Sequence, residues 1–276
     1  MNIIIINLAA ATERLSVQTK QMARLGLAFE RLEAISAADL TDEIDKPIWK
    51  SWQRPMRAGE IGCFLSHRAA WQKIAESGQP ALVLEDDALL SSFVPEVLGA
   101  LAAWDRADHV SLEVKGRRKL VGRAAITVAG RVGAVRMYQD RSGAAAYVLW
   151  PSGAERLLAK TRHRAGIADA ILCESYDLRS YQLEPACAIQ LDQCAAYGLP
   201  PIIATDSSTA PDRTPRPDPG TVLDAAGFRW RRIKAQLGMA IRRLSVIHRA
   251  EKRLVTLDRS HFDWARETFG RPQEEA

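Results

Sequence analysis

The stretch Leu82–Leu90, LVLEDDALL, places three consecutive carboxylates between two apolar runs. Adjacent carboxylates repel one another, and in a partly dehydrated pocket that repulsion is unfavourable unless a cation or several hydrogen-bond donors offset it. Because side chains alternate along a strand, Glu85 and Asp87 share one direction and Asp86 takes the other. The triplet therefore indicates either a ligand site at the end of a buried strand or a capped turn.

Strand-like and helix-like segments alternate around this stretch. The apolar patterns and helix-capping residues predict a strand at Ile3–Leu8, a helix from Thr12 to Gly26, a strand near Phe29–Ile35, a helix near Gly59–Glu76 and a strand at Ala81–Leu84. This order predicts an α/β fold with a mostly parallel central sheet and flanking helices. Ligands of such sheets bind at the carboxyl ends of the strands, where Asn7 and the acidic triplet fall.

The later chain continues in the same manner. The sequence predicts a helix at Val94–Trp104, a strand at His109–Val114, a hairpin at Ile126–Met137, a strand at Gly143–Trp150, a helix at Ser152–Lys160 with Ser152 as its N-cap, and a short strand at Ala186–Leu191. The proline-rich segment 205–220 lacks apolar periodicity and is typical of a linker. We therefore predict three parts, namely 1–204, the linker 205–220 and a C-terminal part 221–276.

Composition sets the class of protein. A chain of 276 residues with 47% hydrophobic and 26% charged residues is typical of a globular protein with one large core or two small ones. The four cysteines form no C-x-x-C pair, which favours structural thiols in a reducing compartment and predicts a cytoplasmic location. No apolar run is long enough for a signal peptide or a membrane span, so any membrane contact is expected from the surface, on the inner face of the cytoplasmic membrane.

The C-terminal part is basic. Between Arg213 and Arg253, eleven arginine and lysine residues face three acidic ones. Apolar residues recur there at three- and four-residue steps, which predicts a basic amphipathic helix within 221–254; they are Trp230, Ile233, Leu237, Ile241, Leu244 and Ile247. This stripe either packs on the rest of the chain or a partner subunit, or docks on an anionic membrane surface. No nucleic-acid partner is predicted, because the stripe is aliphatic and no nucleic-acid-binding motif accompanies it.

The triplet also suits a cation. Glu85 and Asp87, joined by Asp86 if the strand stops at Leu84, offer hard oxygen ligands, but too few to enclose a metal. Mg²⁺ or Mn²⁺ would keep positions there for water and a substrate phosphate. A response-regulator receiver domain also carries an acidic pocket, but its carboxylates close the first strand, and Asp140 ends no later apolar strand here. The receiver interpretation is therefore disfavoured.

The segment Arg57–Trp71, RAGEIGCFLSHRAAW, has an unusual composition for a helix. Gly59 and Gly62 lower helix stability and allow close approach, and Ser66 and His67 place polar groups in mid-helix. Taken alone, His67 is typical of a buried structural histidine. The segment as a whole indicates a requirement other than helix stability.

Four motifs together resemble glycosyltransferase family 25, the lipopolysaccharide and lipooligosaccharide β-glycosyltransferases related to the collagen galactosyltransferases. They are INL followed by Arg14, GEIGCFLSH-x3-W, ALVLEDDALL and GAAAYVLWPSGAERLL, and the resemblance extends from Ile3 to about Gln190. It implies a GT-A-like, Rossmann-related fold, a UDP-sugar donor that is typically UDP-galactose, and an oligosaccharide or lipopolysaccharide-core acceptor. It also implies a metal site that uses EDD in place of the usual D-x-D.

The resemblance carries roles to individual positions. It implies that the nucleotide lies beside Asn7, Leu8 and Arg14. It also implies that the donor side of the site is lined by Gly59, Glu60, Gly62, Ser66 and His67. It implies that the triplet holds the ribose and the metal. Within the triplet, we predict Asp87 as the principal metal ligand with Glu85 beside it, and Asp86 toward the ribose or in a structural role. Ala168-Asp169 and the pair Pro185 and Gln190 resemble the later family motifs.

For an inverting transferase we predict Asp169 as the base, with Glu113 as the substitute. A helix cap or an ion pair is the alternative for Asp169. The chain departs from the family at Ala9-Ala10-Ala11, where Asp-Arg-Ser usually follows INL. That departure motivates a competing hypothesis, a catalytically inert module that binds a nucleotide-sugar or a membrane.

Overall fold

The computed structural model describes residues 1–41, 45–141, 143–200, 202–203 and 217–269. Most of the predicted linker, residues 205–216, lies outside the described residues, as do residues 270–276 of the predicted tail. The described helices are α1 Thr12–Leu25, α2 Ala58–Ser77, α3 Val94–Ala102, α4 Pro151–Lys160, α5 Ala168–Glu174, α6 Val222–Ser245 and α7 Asp263–Phe269. Within these ranges, no helix combines the length and the apolar character that crossing a bilayer requires.

The strands form two sheets. They are β1 Asn2–Asn7, β2 Glu30–Glu33, β3 Ala81–Glu85, β4 Ala88–Leu90, β5 His109–Ser111, β6 Glu113–Val114, β7 Arg118–Ala129, β8 Val132–Gln139, β9 Ala146–Leu149, β10 Ser180–Glu184, β11 Ala188–Gln190 and β12 Ala250–Leu254. The large sheet has nine strands in the order β12-β7-β8-β10-β5-β9-β3-β1-β2, and the small sheet has the order β4-β11-β6. The α/β class predicted from the sequence is therefore confirmed.

The large sheet is mixed, so the prediction of a mostly parallel sheet is met only in part. Strand β1 pairs in parallel with β2 and β3, and β10 with β5. The other neighbours are antiparallel, because β9 inserts between β3 and β5 in the opposite direction and the hairpin of β7 and β8 extends the sheet beyond β10. The parallel part contains the ends of β1 and β3, where a ligand was expected.

Two layers of side chains cover the large sheet. The isoleucines of β1 alternate between them: Ile3 and Ile5 join the core cluster that includes α3, and Ile4 and Ile6 join the cluster that includes α2, α4 and α5. This alternation explains why a continuous apolar run is required, because both faces of β1 are buried. Helix α1 ends at Gly26, whose φ of 66° is the left-handed conformation that favours glycine.

Several predicted boundaries need correction. Helix α4 begins at Pro151 with Trp150 at the N-cap position, so Ser152 is not the cap; its hydroxyl donates instead to Asp108 Oδ1 at 2.6 Å. The predicted strand His109–Val114 is divided between the two sheets as β5 and β6. The hairpin is longer than Ile126–Met137, because it comprises all of β7 and β8.

The chain after Ser245 is part of the folded body. Strand β12 pairs antiparallel with β7 at the edge of the large sheet. Beyond it, Phe262 and Trp264 are buried against Leu89 and Ile189 in a third core cluster. The amphipathic helix predicted within 221–254 is thus shorter, and the residues that follow it complete the sheet.

Candidate functional site

A cavity of about 440 Å³ opens at the carboxyl ends of β1 and β3. It brings together most of the residues that the sequence singled out, namely Leu8, Arg14, Gly59, Glu60, Ser66, His67, Glu85, Asp86, Asp87, Asp169 and Gln190. Five other residues that the sequence analysis named do not line it: Asn7, Gly62, Glu113, Ala168 and Pro185. Segments far apart in the chain therefore converge on one site.

Asp87 has an incomplete set of hydrogen bonds. Its Oδ1 is buried without a donor among the described residues, and its Oδ2 accepts a long hydrogen bond of 3.4 Å from Gln190 Nε2. The side-chain oxygen of Gln190 is also buried without a donor in that part of the chain. Burial, together with the charges of Glu85 and Asp86, raises the pKa of Asp87 to about 7. Mg²⁺ and Mn²⁺ prefer oxygen ligands of this kind, so the side-chain oxygens of Asp87 and Gln190 could bind either cation.

Glu85 is held by a chain of hydrogen bonds that begins in the core. Trp71 Nε1 donates to Tyr147 Oη at 2.8 Å, and Tyr147 Oη lies 2.9 Å from His67 Nδ1. Because the tyrosine hydroxyl accepts from Trp71, its own proton is available to Nδ1, which leaves a proton on His67 Nε2 for Glu85 Oε1 at 3.1 Å. Burial alone would raise the pKa of Glu85, but the contact with His67 outweighs it and lowers the pKa.

His67 is thus both a buried residue and part of the site. Its side chain is completely buried, as the structural interpretation requires. Its second nitrogen nevertheless fixes the orientation of a carboxylate at the cavity. Such a contact behind a ligand residue is common in metal sites.

Asp86 ties β1 and α1 to the triplet. Its carboxylate accepts hydrogen bonds from Asn7 Nδ2 at 2.8 Å and Arg14 Nη1 at 3.1 Å, and its main-chain oxygen accepts from Gln18 Nε2 at 3.1 Å. Burial raises the pKa of Asp86 in spite of these donors. Asn7 therefore holds Asp86 in position. The side-chain oxygen of Asn7 in turn accepts a hydrogen bond from Arg31 Nε at 3.0 Å.

Helix α2 approaches the chain after β2 very closely. A Cβ atom on Gly62 would lie 2.3 Å from the main-chain oxygen of Ile35, so no larger residue fits. One turn later, Ser66 Oγ accepts from the Ile35 amide at 2.9 Å and donates to the Gly62 carbonyl at 2.7 Å. These two residues fix the distance between α2 and the wall of the cavity, which explains part of the unusual composition.

Glu60 stabilises the beginning of α2. Arg54 donates to both of its carboxylate oxygens, at 2.8 and 2.7 Å, and the main-chain amide of Arg57 donates to it at 2.9 Å. Burial would raise the pKa of Glu60, but these hydrogen bonds outweigh it and lower the pKa. Glu60 lines the cavity as an ionised, already paired carboxylate.

The two candidate bases have different surroundings. Asp169 lies in the first turn of α5 and lines the cavity, and burial raises its pKa. Among the described residues, no ion pair of Asp169 is found, which disfavours the ion-pair alternative. Glu113 lies in the interior, where it accepts a hydrogen bond from the Ala145 amide at 3.0 Å, and burial raises its pKa to about 8. Of the two, Asp169 alone faces the cavity.

Sequence reasoning missed several residues that line the cavity, and three of them carry ionisable side chains: Cys63, Lys115 and Asp192. Lys115 follows the predicted strand His109–Val114, and Asp192 follows the predicted strand Ala186–Leu191. The rule that ligands bind beyond the carboxyl ends of strands could therefore have indicated both. Cys63 lies one helical turn before His67, and the i, i+4 spacing was the available signal.

Cys63, His67 and Glu85 bring one potential ligand atom each within 4.8 Å of one another. Burial raises the pKa of the Cys63 thiol, and the neighbouring charge of Glu85 adds to this effect. Since His67 Nε2 also carries a proton toward Glu85, this group presents protons rather than lone pairs. It fits a metal less well than the oxygens of Asp87 and Gln190.

Residues 1–172 match the family model described as Glycosyltransferase family 25 (LPS biosynthesis protein). The match covers well over half of the 276 residues. The chain belongs to glycosyltransferase family 25. The matched range contains α2, the acidic triplet and Asp169, and it therefore includes most of the residues that line the cavity.

Individual relatives agree with this assignment. The chain is 35% identical over 133 residues to a Glycosyltransferase 25 family member from Anopheles gambiae, which is 43% of this chain and 22% of that protein. It is 25% identical over 202 residues to the lipooligosaccharide biosynthesis protein lic2B of Haemophilus influenzae, with 68% and 76% covered. It is 39% identical over 61 residues to procollagen galactosyltransferase 1 of Danio rerio, with 19% and 10% covered. The chain thus spans less than a quarter of the length of these animal relatives.

Proposed function

We propose that this chain is a glycosyltransferase that binds a UDP-sugar in the 440 Å³ cavity and transfers the sugar, with inversion, to a saccharide acceptor. The observation that carries the proposal is the pair of buried oxygens, on Asp87 after β3 and on Gln190 at the end of β11, that have no donor in the part of the chain that the structure describes. Such oxygens fit a divalent cation, and a cation at that place suits a diphosphate.

Asp87 and Glu85 are the residues that would hold Mn²⁺ or Mg²⁺, with the amide oxygen of Gln190 beside them. When bound, the cation would neutralise the negative charge that develops on the diphosphate leaving group. The residues of the chain supply the rest of the electrostatics. Arg14 and Lys115 line the cavity and place positive charge near the phosphates, and His67 keeps Glu85 in one orientation.

Asp169 is our candidate for the base. It would take the proton of the acceptor hydroxyl while that oxygen bonds to the anomeric carbon. At the same time the bond between the anomeric carbon and the diphosphate oxygen breaks, and its electron pair leaves with UDP. The raised pKa of Asp169 favours this role, because a more basic carboxylate accepts the proton more readily.

A second cavity, of about 720 Å³, borders the other side of α5 and is our candidate for the acceptor site. Its walls include the aromatic rings of Trp52 and Tyr176 and the cationic side chains of Arg141 and Lys234. Aromatic faces and cations together suit an anionic saccharide. The name of the Haemophilus relative supports a lipooligosaccharide or lipopolysaccharide-core acceptor. The name of the Danio relative supports galactose as the transferred sugar.

The inert-module hypothesis rests on Ala9, Ala10 and Ala11. In the structure, Ala11 occupies the N-cap position of α1 and makes no side-chain capping bond, while its carbonyl accepts from Asn7 Nδ2 at 3.0 Å. A serine at this position would cap the helix. The departure at Ala11 therefore concerns the stability of α1, and it is weak support for loss of activity.

A donor screen tests the proposal. The purified chain is incubated with several UDP-sugars, with Mn²⁺ or with a chelator, and released UDP is measured. We expect UDP release from at least one donor with Mn²⁺ and its loss in chelator. Full release in chelator would remove the metal from the proposal. No release from any donor under either condition, with or without saccharide acceptors, would favour the inert module.

A further inference from the structure

Helix α6 presents its apolar stripe to solvent. The exposed fractions are 66% for Trp230, 56% for Ile233, 59% for Leu237, 58% for Ile241 and 68% for Leu244. These five residues, which we call the α6 stripe, do not pack on the described part of the chain. Of the alternatives predicted from the sequence, packing of the stripe on the rest of the chain is therefore not found among the described residues. Large aliphatic side chains in one exposed row are unusual on a protein surface unless they bind something.

The opposite side of α6 is attached to the body, where Phe228 is buried and two arginines make hydrogen bonds. Arg231 donates from Nε to the Trp52 carbonyl and from Nη2 to the Lys50 carbonyl, both at 2.6 Å. Three turns later, Arg242 donates to the Tyr138 carbonyl at 3.2 Å and lies over its ring. Because these arginines hold the inner side, the helix cannot turn its stripe inward without losing them. The orientation is thus fixed by contacts on the body.

Basic residues border the stripe on both sides. At 100° per residue, Arg229 lies along one edge of the stripe and Lys234 along the other. In the helix, Asp224 is the acidic residue, and Lys50 pairs with it at 3.0 Å. A second copy of the chain placed stripe to stripe would bring these basic edges toward each other, whereas anionic lipid headgroups would complement them. The charge around the stripe therefore selects lipid as the occupant.

We infer that α6 docks the chain on an anionic lipid bilayer, with the helix in the plane of the interface and the stripe toward the acyl chains. At a rise of about 1.5 Å per residue, the stripe from Trp230 to Leu244 gives a contact roughly 21 Å long. Its basic edges reach the headgroup region, and Trp230 supplies an aromatic side chain suited to the interface. This inference stands on the orientation of α6 and does not depend on the proposed transfer reaction.

One consequence concerns the 720 Å³ cavity, and it rests on the proposed function. Lys234, Gln236 and Met239 of α6 line that cavity from the helix side. A docked α6 would therefore hold the candidate acceptor site beside the headgroups. The acceptor class that fits this position is a saccharide carried on a lipid.

Vesicle sedimentation with the full chain tests the inference. The probes are vesicles of phosphatidylcholine alone and of phosphatidylcholine with phosphatidylglycerol. We expect binding to the anionic vesicles and at least about tenfold weaker binding to the neutral ones, with further weakening as salt rises. Equal binding to both kinds of vesicle, or no binding to either, would overturn the inference.

Variants then assign the contact to the stripe. Leu237→Glu with Ile241→Glu is expected to weaken vesicle binding at least tenfold, because it places charge in the apolar row. Leu254→Glu, a change at a residue with 52% exposure on β12, is the matched control and should leave binding within about twofold. Circular dichroism checks that α6 remains folded.

Removing charge tests the basic edges. Arg229→Gln with Lys234→Gln should weaken binding to the anionic vesicles about tenfold or more, since each basic residue contributes about fivefold. Analytical ultracentrifugation without lipid tests whether a second copy of the chain binds to the stripe instead, because it measures the oligomeric state. A wild-type dimer that the double glutamate variant converts to a monomer would contradict lipid docking and identify the stripe as a subunit interface.

Discussion

At the scale of single residues, three adjacent carboxylates have three different environments. Glu85 accepts a hydrogen bond from His67, Asp86 accepts hydrogen bonds from Asn7 and Arg14, and one oxygen of Asp87 has no donor among the described residues. Strand alternation predicts from the sequence that Asp86 differs from its neighbours. Their individual partners could not be predicted, because those residues approach only in the folded sheet.

The role of Asp169 can be tested by separating turnover from donor binding. Asp169→Asn is expected to lower turnover by about 10² to 10⁴, which is the usual contribution of a positioned base, with donor affinity unchanged. Steady-state transfer kinetics and UDP-sugar binding measure the two effects. Unchanged turnover would exclude Asp169 as the base.

Glu113→Gln is the companion variant, because Glu113 was the alternative base. Glutamine retains an oxygen that can accept from the Ala145 amide, so the fold should tolerate it. Since Glu113 does not line the cavity, we expect turnover within about threefold of the wild type. A loss as large as that of Asp169→Asn would instead assign the base to Glu113.

At the scale of elements, α2 shows how a helix is positioned by its smallest residues. Gly62→Ala is expected to lower the free energy of unfolding by about 1–3 kcal/mol, because the new Cβ would meet the Ile35 carbonyl at 2.3 Å. Gly99→Ala in α3 is the control, with nothing within 4 Å, and should raise stability by about 0.5–1 kcal/mol. Urea denaturation followed by tryptophan fluorescence measures the free energy of unfolding of both variants. Equal changes in the two variants would show that the close contact between Gly62 and Ile35 does not exclude a larger residue.

The order of helices and strands was largely predictable, because apolar periodicity and capping residues are local signals. Strand direction was not. Nothing in the apolar run Ala146–Leu149 states that β9 runs against β3, since direction depends on the path of the connecting chain. Likewise, the spacing of the α6 stripe predicted a helix, but the inward contacts of Arg231 and Arg242 decide which side meets solvent.

At the scale of the whole molecule, the C-terminal residues belong structurally to the body that contains the cavity. Strand β12 extends the large sheet, and Trp264 donates from Nε1 to the Leu90 carbonyl at 3.2 Å. Leu90 follows closely after the acidic triplet. The C-terminal chain therefore supports the segment that carries the candidate site, although a proline-rich stretch precedes it in sequence.

Asp108 joins three elements of that body and predicts how its stability depends on pH. It accepts from the Arg179 amide at 2.8 Å, Ser152 Oγ at 2.6 Å and Arg156 Nη1 at 3.0 Å. Burial would raise the pKa of Asp108, but the hydrogen bonds from Arg179 and Ser152 outweigh it and hold the pKa at about 2. The carboxylate thus contributes stability above about pH 4, which is lost as pH falls toward 2.

Asp108→Asn tests this assignment. We expect a loss of about 2 kcal/mol near neutral pH and a smaller difference from the wild type as pH falls from 4 to 2. Urea unfolding at several pH values measures both quantities. A difference that stays constant over this range would show that the charge of Asp108 is not responsible.

The central claim is that Asp87 holds a cation against the UDP diphosphate, and calorimetric titration of UDP tests it most directly. The wild type and Asp105→Ala, an exposed acidic control, should bind UDP at least about tenfold more tightly with Mn²⁺ than in chelator. Asp87→Ala should lose that difference and bind equally weakly under both conditions. Wild-type binding that is independent of Mn²⁺, or an Asp87→Ala variant that keeps the metal-dependent gain, would contradict the account.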